Sequence, residues 1–502
     1  MMGVITKDMV LSEKLRQYIT EPDNIYDLVG NCYGLLCDKV SNPAAFINDY
    51  LSKGEACNSN PNYENLNQFS GEVMWKTQCF KASSYKEFIL SIVIRIDKLM
   101  SEMKSYLDKE MNELTVIYFL LAGIDAGART WEVYKLSSGT GPLDRVHKTG
   151  YRVYFSGHDT LHSEYVERVG RDRMHTSDFS AEFETFHFIN TKDWKMGENV
   201  PRIIYIPYDY RLLQKQERKL KAAVIPGLNE KNFEFSKTKG SGVRVDYSGI
   251  DQSEVEKKVT VSLKKVLETD CDIIVLPEYL TSPEVYQVVR RELKEAYINK
   301  GLGSVPLLTF AGTMWTDDNN NVLRILDACG DEIGRYYKYS PYTKKRKHQY
   351  GYEQYEDLSD PGEYCDLVWV EGWGLLLPAI CRDMIDGEYT EEISRLLLPV
   401  LVIISAWSPS VSTFVERQQE LSNKYFVSSI LANACSAVRK ETKRIGNAGI
   451  VHKKNTIPDI LVENMCRSDC VDTCSNHACA YIIEFDFTYN ENSNTKIRIN
   501  KL

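Results

Sequence analysis

Three residues sit where chemistry could be done. Glu278 follows the apolar run IIVLP, Lys338 closes EIGRYYK, and Cys381 follows GLLLPAI. Each ends a segment that reads as a buried β-strand, and strand ends of open α/β sheets are where sites collect. A thiol attacks a carbonyl carbon only as its thiolate. A carboxylate beside it can take the thiol proton and later hand it to a leaving amine. A lysine ammonium can hold the developing oxyanion, and the backbone N–H of Arg382, at the turn after the nucleophile, is a second candidate donor. Taken singly the three are ordinary: a core thiol, a turn carboxylate and a surface lysine. Together they form a complete set for nucleophilic acyl transfer.

Regular alternation of strands and helices would have to position this set. From about Leu220 the strand candidates are Lys221–Pro226, Asp272–Pro277, Pro306–Met314, Glu332–Lys338, Gly374–Ile380, Val400–Ile404, Phe426–Ala434, Ala448–His452 and Ala480–Phe487. Amphipathic spacing predicts helices over Ser253–Glu268, Glu388–Leu397 and Phe414–Tyr425, giving an α/β arrangement. The first part of the chain has a helical texture instead. Ser84–Asp108 and Glu113–Tyr134 carry apolar residues at i, i+3, i+4 and i+7, with weaker candidates at Asp8–Tyr18 and Asn24–Lys39. Asn58–Asn67 is polar and Asn-rich and is expected to be a loop. The 502 residues exceed what one hydrophobic core supports, so two domains are expected, 1–200 and 201–502.

Composition narrows the function classes. The net charge of −9 gives no chain-wide attraction to nucleic acid or anionic lipid. A local exception is the basic run Lys344-Lys345-Arg346-Lys347-His348, read first as a solvated loop. The longest apolar windows, Phe88–Ile96 and Leu114–Gly123, fall well short of the ~20 residues a spanning helix needs. Residues 1–14 show no apolar run behind a basic start, so a cytoplasmic chain with reduced thiols is expected.

The phrases KAAVIPG, IIVLPEY, AGTMW, RYYKYSPY, LLLPAICRDM, VLVIISAW and YIIEFDF, in that order, resemble the nitrilase superfamily of carbon–nitrogen hydrolases over about Leu220 to Phe487. The resemblance implies an αββα sandwich, here preceded by a mostly helical N-terminal domain, and a Glu-Lys-Cys triad falling on Glu278, Lys338 and Cys381. It implies cysteine-dependent hydrolysis of a non-peptide amide, carbamoyl or nitrile bond through a thioester, with no cofactor for catalysis. It also implies a small amide-type substrate and a homo-oligomer. A second, substrate-orienting carboxylate is implied between the Lys and the Cys. Glu353 and Glu356 both lie there, with Glu356 preferred because it stands nearer Pro361-Gly362. One departure concerns the Arg that often follows Cys-x-Asp, since Asp383 is followed by Met384-Ile385-Asp386. Acyl transfer by the same triad, or a non-catalytic sensor whose helical domain binds a protein partner, are the alternative readings.

Cys466, Cys470, Cys474, His477 and Cys479 crowd fourteen residues inside an apparent insertion at 464–479. Such a set could hold a structural zinc ion, although the spacing is not that of a standard finger. Redox thiols, or thiols packed on one helix face, fit the same pattern. His158 and His162 are four apart without residues to complete a metal site.

Overall fold

The structure is a computed structural model. It describes residues 13–40, 46, 61–80, 85–102, 109–128, 144–146, 151–155, 183, 185–190, 201–206, 219–227, 233–237, 242–315, 320–344, 354–358, 365–370, 372–386, 388–408, 411–425, 427–434, 446–449, 460–463, 479–487 and 498–502. The chain divides into two compact units, residues 1–159 with 163–195, and 196–502 with 160–162.

In the first unit, helices span Glu13–Thr20, Ile25–Lys39, Pro61–Gln78, Tyr85–Glu102 and Lys109–Ala128. Asn24 caps the second of these by accepting the Asp27 N–H at 3.0 Å. Tyr85–Glu102 buries Phe88, Ile89, Ile92, Val93, Ile96 and Leu99, the stripe its spacing predicts. Asn58–Asn67 is a correction: a helix begins at Pro61, where the missing proline N–H costs nothing. The polar start hides an apolar stripe that begins later, at the buried Leu66, Phe69 and Val73. That helix packs closely on Lys109–Ala128. A Cβ on Gly123 would stand 2.7 Å from Ser70 O, and one on Gly127 would stand 2.5 Å from Met74 O. The unit also contains a three-stranded antiparallel sheet of Asp144–Val146, Tyr151–Phe155 and Phe186–Asn190, which the helical texture did not announce.

The second unit is an αββα sandwich. One seven-stranded sheet runs Glu332–Tyr337, Asn321–Asp327, Leu308–Trp315, Ile273–Val275, Lys219–Val224, Tyr481–Asp486 and Arg498–Lys501. The other runs Ile460–Glu463, Gly446–Gly449, Ser428–Asn433, Leu401–Ala406, Gly374–Ile380, Cys365–Val370 and Pro201–Ile206. The central strands of both sheets are parallel and completely buried, which explains their continuous apolar sequence. Helices Ser253–Leu267 and Pro283–Lys300 cover the first sheet with Val259, Leu263, Val289 and Leu293. Helices Glu388–Leu397 and Ser412–Tyr425 pack on the second. Bonds between the sheets stitch them together, among them Ser405 Oγ donating to Leu276 O at 2.8 Å and the Arg335 N–H donating to Asp366 Oδ2 at 2.8 Å. A four-stranded sheet of Thr343–Lys344, Gln354–Glu356, Gly242–Asp246 and Glu234–Lys237 completes the unit. No helix among the described residues is long and apolar enough to cross a membrane.

Candidate active site

Glu278 lies just beyond the Ile273–Val275 strand and is 1% exposed. The backbone there is unusual. Tyr279 has a φ of 62°, and Gly312 on the adjacent strand has a φ of 72°. A Cβ on Gly312 would stand 2.5 Å from Pro277 O, so only glycine lets the two strands approach. The Glu278 carboxylate is held from three sides. Its Oε1 accepts from Lys338 Nζ at 2.7 Å and from Asn321 Nδ2 at 2.9 Å, and its Oε2 accepts from the Trp407 N–H at 3.0 Å.

Lys338 follows the Glu332–Tyr337 strand, continues its pairing through its N–H to Asn321 O at 2.9 Å, and is 2% exposed. Its ammonium also meets Glu356 Oε2 at 2.6 Å. Glu356, carried on the small sheet, accepts from Tyr279 Oη at 2.7 Å, Asn321 Nδ2 at 3.0 Å and the Tyr342 N–H at 3.0 Å. One buried cation therefore sits between two buried carboxylates, and a single amide side chain bridges the same pair.

Cys381 ends the Gly374–Ile380 strand with a φ of 44°, a left-handed conformation that is costly for a residue with a Cβ and that clusters at functional turns. Its N–H donates to Ser405 O at 2.9 Å, and its carbonyl accepts the Met384 N–H at 3.1 Å. The turn leads directly into the helix Arg382–Asp386, whose first residue carries the N–H singled out as an oxyanion donor. The Arg382 side chain pairs with Asp386 at 2.9 Å, an arrangement the Met-Ile-Asp departure did not foretell. The Glu278 charge and the Trp407 N–H both act on the ionisation of the Cys381 thiol.

The electrostatics follow from burial. Loss of water pushes the Glu278 carboxyl above its ordinary 4.5; Lys338 opposes this and Glu356 reinforces it. Burial also drives the Cys381 thiol well above its usual range; the Glu278 charge adds to the rise and Lys338 only partly offsets it. For Lys338, burial alone would lower the value, but the charges of Glu278 and Glu356 overcome it and hold the ammonium protonated. The resting set is thus a neutral thiol, a poised carboxylate and a permanent cation. Asp383, two residues past Cys381, accepts the N–H groups of Tyr339 at 3.0 Å and Ser340 at 2.6 Å. It ties the Cys381 turn to the segment after Lys338, and burial raises its carboxyl to about 7.

Glu278, Lys338, Cys381 and Glu356 are brought together here. Glu353, Cys466, Cys470, Cys474 and His477 lie outside the described residues, as do residues 345–348 of the basic run. Cys479 is described and buried just ahead of the Tyr481–Asp486 strand, and no metal-binding cluster occurs among the described residues. Sequence reasoning missed Asn321, whose side chain bridges Glu278 and Glu356. It also missed Asn433, which holds the Trp407-Ser408 segment by exchanging two 2.8 Å bonds with the Ser408 backbone. No periodicity or motif marks either asparagine; they are found only by asking what satisfies the buried groups.

No family model and no curated protein matches the chain. Among solved structures, about half of the chain aligns with nitrilase-superfamily proteins. Nit3 of Saccharomyces cerevisiae, a member of branch 10 of that superfamily, aligns at 16% identity over 49% of this chain and 89% of its own, with a TM-score of 0.32. An amidase from Nesterenkonia sp. aligns at 14% identity over 48% and 89%, with a TM-score of 0.28. A carbon–nitrogen hydrolase from Helicobacter pylori G27 aligns at 13% over 51% and 93%, with a TM-score of 0.31. The αββα architecture itself stands on the two seven-stranded sheets and their flanking helices.

Proposed function

We propose that residues 201–502 form a nitrilase-type amidohydrolase that cleaves a small non-peptide amide through a thioester on Cys381. The observation that carries this reading is the buried Lys338 ammonium, held at 2.7 Å from Glu278 and 2.6 Å from Glu356 beside a thiol on a left-handed turn. A structural ion pair gains little by being buried beside a second like charge and a strained cysteine, whereas a reaction centre needs all three.

Because the thiol rests neutral, attack must be coupled to proton removal. Glu278, its pKa raised by burial, takes the proton as the sulfur–carbon bond forms. The carbonyl π electrons move onto oxygen, where the Lys338 ammonium and the Arg382 N–H receive the negative charge. The carbon–nitrogen bond then breaks as Glu278 returns the proton to the leaving amine. A water molecule repeats the sequence on the thioester: Glu278 removes its proton, the acid is released, and the proton returns to Cys381 sulfur. Glu356 fixes Lys338 between the carboxylates throughout.

Ammonia release from propionamide and 3-phenylpropionamide, with intact-mass detection of the acyl-enzyme, tests the proposal. Cys381→Ala should show neither ammonia nor adduct, while its melting curve stays cooperative. Turnover by Cys381→Ala would end the reading.

A further inference from the structure

Beside the buried charged groups lies an aromatic cluster that reaches the surface at Phe235. The Trp407 backbone N–H donates to Glu278 and the Tyr279 hydroxyl donates to Glu356, so the Tyr279 ring and the main chain that carries the Trp407 ring are both tied to the carboxylates. From there the rings meet two phenylalanines. Phe233 lies 5.3 Å from Tyr279 and 5.8 Å from Trp407, and Phe235 lies 6.2 Å and 5.9 Å from the same two rings. Every one of these contacts is edge-on or tilted, with interplanar angles of 60° to 89°. Phe235 is 50% exposed, whereas Glu278 is 1% exposed. The strand that carries Phe235, Glu234–Lys237, belongs to the same four-stranded sheet that supplies Glu356.

Resting on the hydrolase reading above, we propose that Phe233, Phe235, Tyr279 and Trp407 form the acyl-group subsite, and that the substrates are primary amides with a flat, apolar acyl group, as in an arylalkanamide. The leaving amine must stay against Glu278, which protonates it, so it occupies the buried, charged end. The acyl group retained on sulfur then extends the other way, along the rings toward the exposed Phe235. Rings 5–6 Å apart touch one another and leave no space between them for a cationic headgroup, whereas a planar group can lie across their outer surface.

The test measures kcat/KM of the full chain for propionamide, 3-phenylpropionamide and betaine amide by ammonia release. The expected result is that 3-phenylpropionamide exceeds propionamide by about tenfold or more, and that Phe235→Ala lowers this ratio by about tenfold, mainly through KM. Phe235→Leu should lose less, since it keeps an apolar surface. Equal kcat/KM values for the three amides, an unchanged ratio in Phe235→Ala, or a preference for betaine amide would each overturn the acyl-subsite proposal and leave the hydrolase reading intact. No release from any amide, together with failure of iodoacetamide to label Cys381, would defeat the hydrolase reading itself.

Discussion

Replacing Glu356 by Gln should move the acidic limb of the rate profile to lower pH. Both Glu278 Oε1 and Glu356 Oε1 accept from Asn321 Nδ2, at 2.9 Å and 3.0 Å. The two charges therefore lie at most about 6 Å apart, and at an effective permittivity of about 20 their repulsion is about 3 kcal/mol. That repulsion adds to burial in holding the Glu278 carboxyl above its ordinary value, against the opposing charge of Lys338. Glutamine keeps the shape and an oxygen for Tyr279 or Tyr342, but removes the charge. The sign is fixed by the role of Glu278: as a base it must be ionised, so activity rises with pH through its pKa. Wild type should show an acidic limb above the ordinary glutamate value, because burial raises Glu278. Glu356→Gln should show the limb at lower pH, together with a lower maximum because Lys338 loses one of its two anchors. The assay is kcat/KM for 3-phenylpropionamide from about pH 4 to about pH 9, with pH-matched melting curves as a folding control. An unmoved limb, or one that moves up, would refute the coupling of the two carboxylates through Lys338 and Asn321.

Asp383→Asn tests the tie between the nucleophile turn and the lysine segment. Burial raises the Asp383 carboxyl from 3.8 to about 7, so its folded-state contribution is complete below 3.8 and is lost as pH rises toward about 7. Wild type should therefore lose stability relative to Asp383→Asn by up to about 1.4 kcal/mol per pH unit across that window, and denaturant midpoints that run parallel would contradict it. Gly312→Ala places a methyl group 2.5 Å from Pro277 O at a φ of 72°, so it should destabilise the second unit by more than about 2 kcal/mol and lower activity through Glu278. An unchanged melting temperature would show that the adjacent strand yields without cost. Cys381→Ser should retain the fold and lose at least about a thousandfold in ammonia release, since a hydroxyl is a far weaker acid than a thiol.

Much of the second unit was legible before any coordinates. Its strands are buried on both faces, so IIV, LLLPAI and LVIISA stand out as apolar runs. The residues that follow them, Glu278, Cys381 and Trp407, are forced to the sheet ends. Several strands escaped the sequence reading. Pro201–Ile206 is an edge strand paired on one side only and Glu234–Lys237 is short and polar, so neither carries a strong pattern, but Asn321–Asp327 and the fully buried Cys365–Val370 escaped it as well. The helix beginning at Pro61 was masked by its polar first turn.

What the sequence by itself determined is therefore local: which residues end buried strands, and which of those could act on a carbonyl. Pairing was beyond its reach, because 43 residues separate Glu278 from Asn321 and 35 separate Asn321 from Glu356, and no periodic signal links such positions. Only the tertiary structure set Glu356, which the sequence could prefer but not place, against Lys338, laid Asn321 across both carboxylates, and set Phe233 and Phe235 against Trp407. The physical reason is that burial of a charge is tolerable only when partners converge on it from several strands, and that convergence is a property of the folded sheets rather than of any one segment.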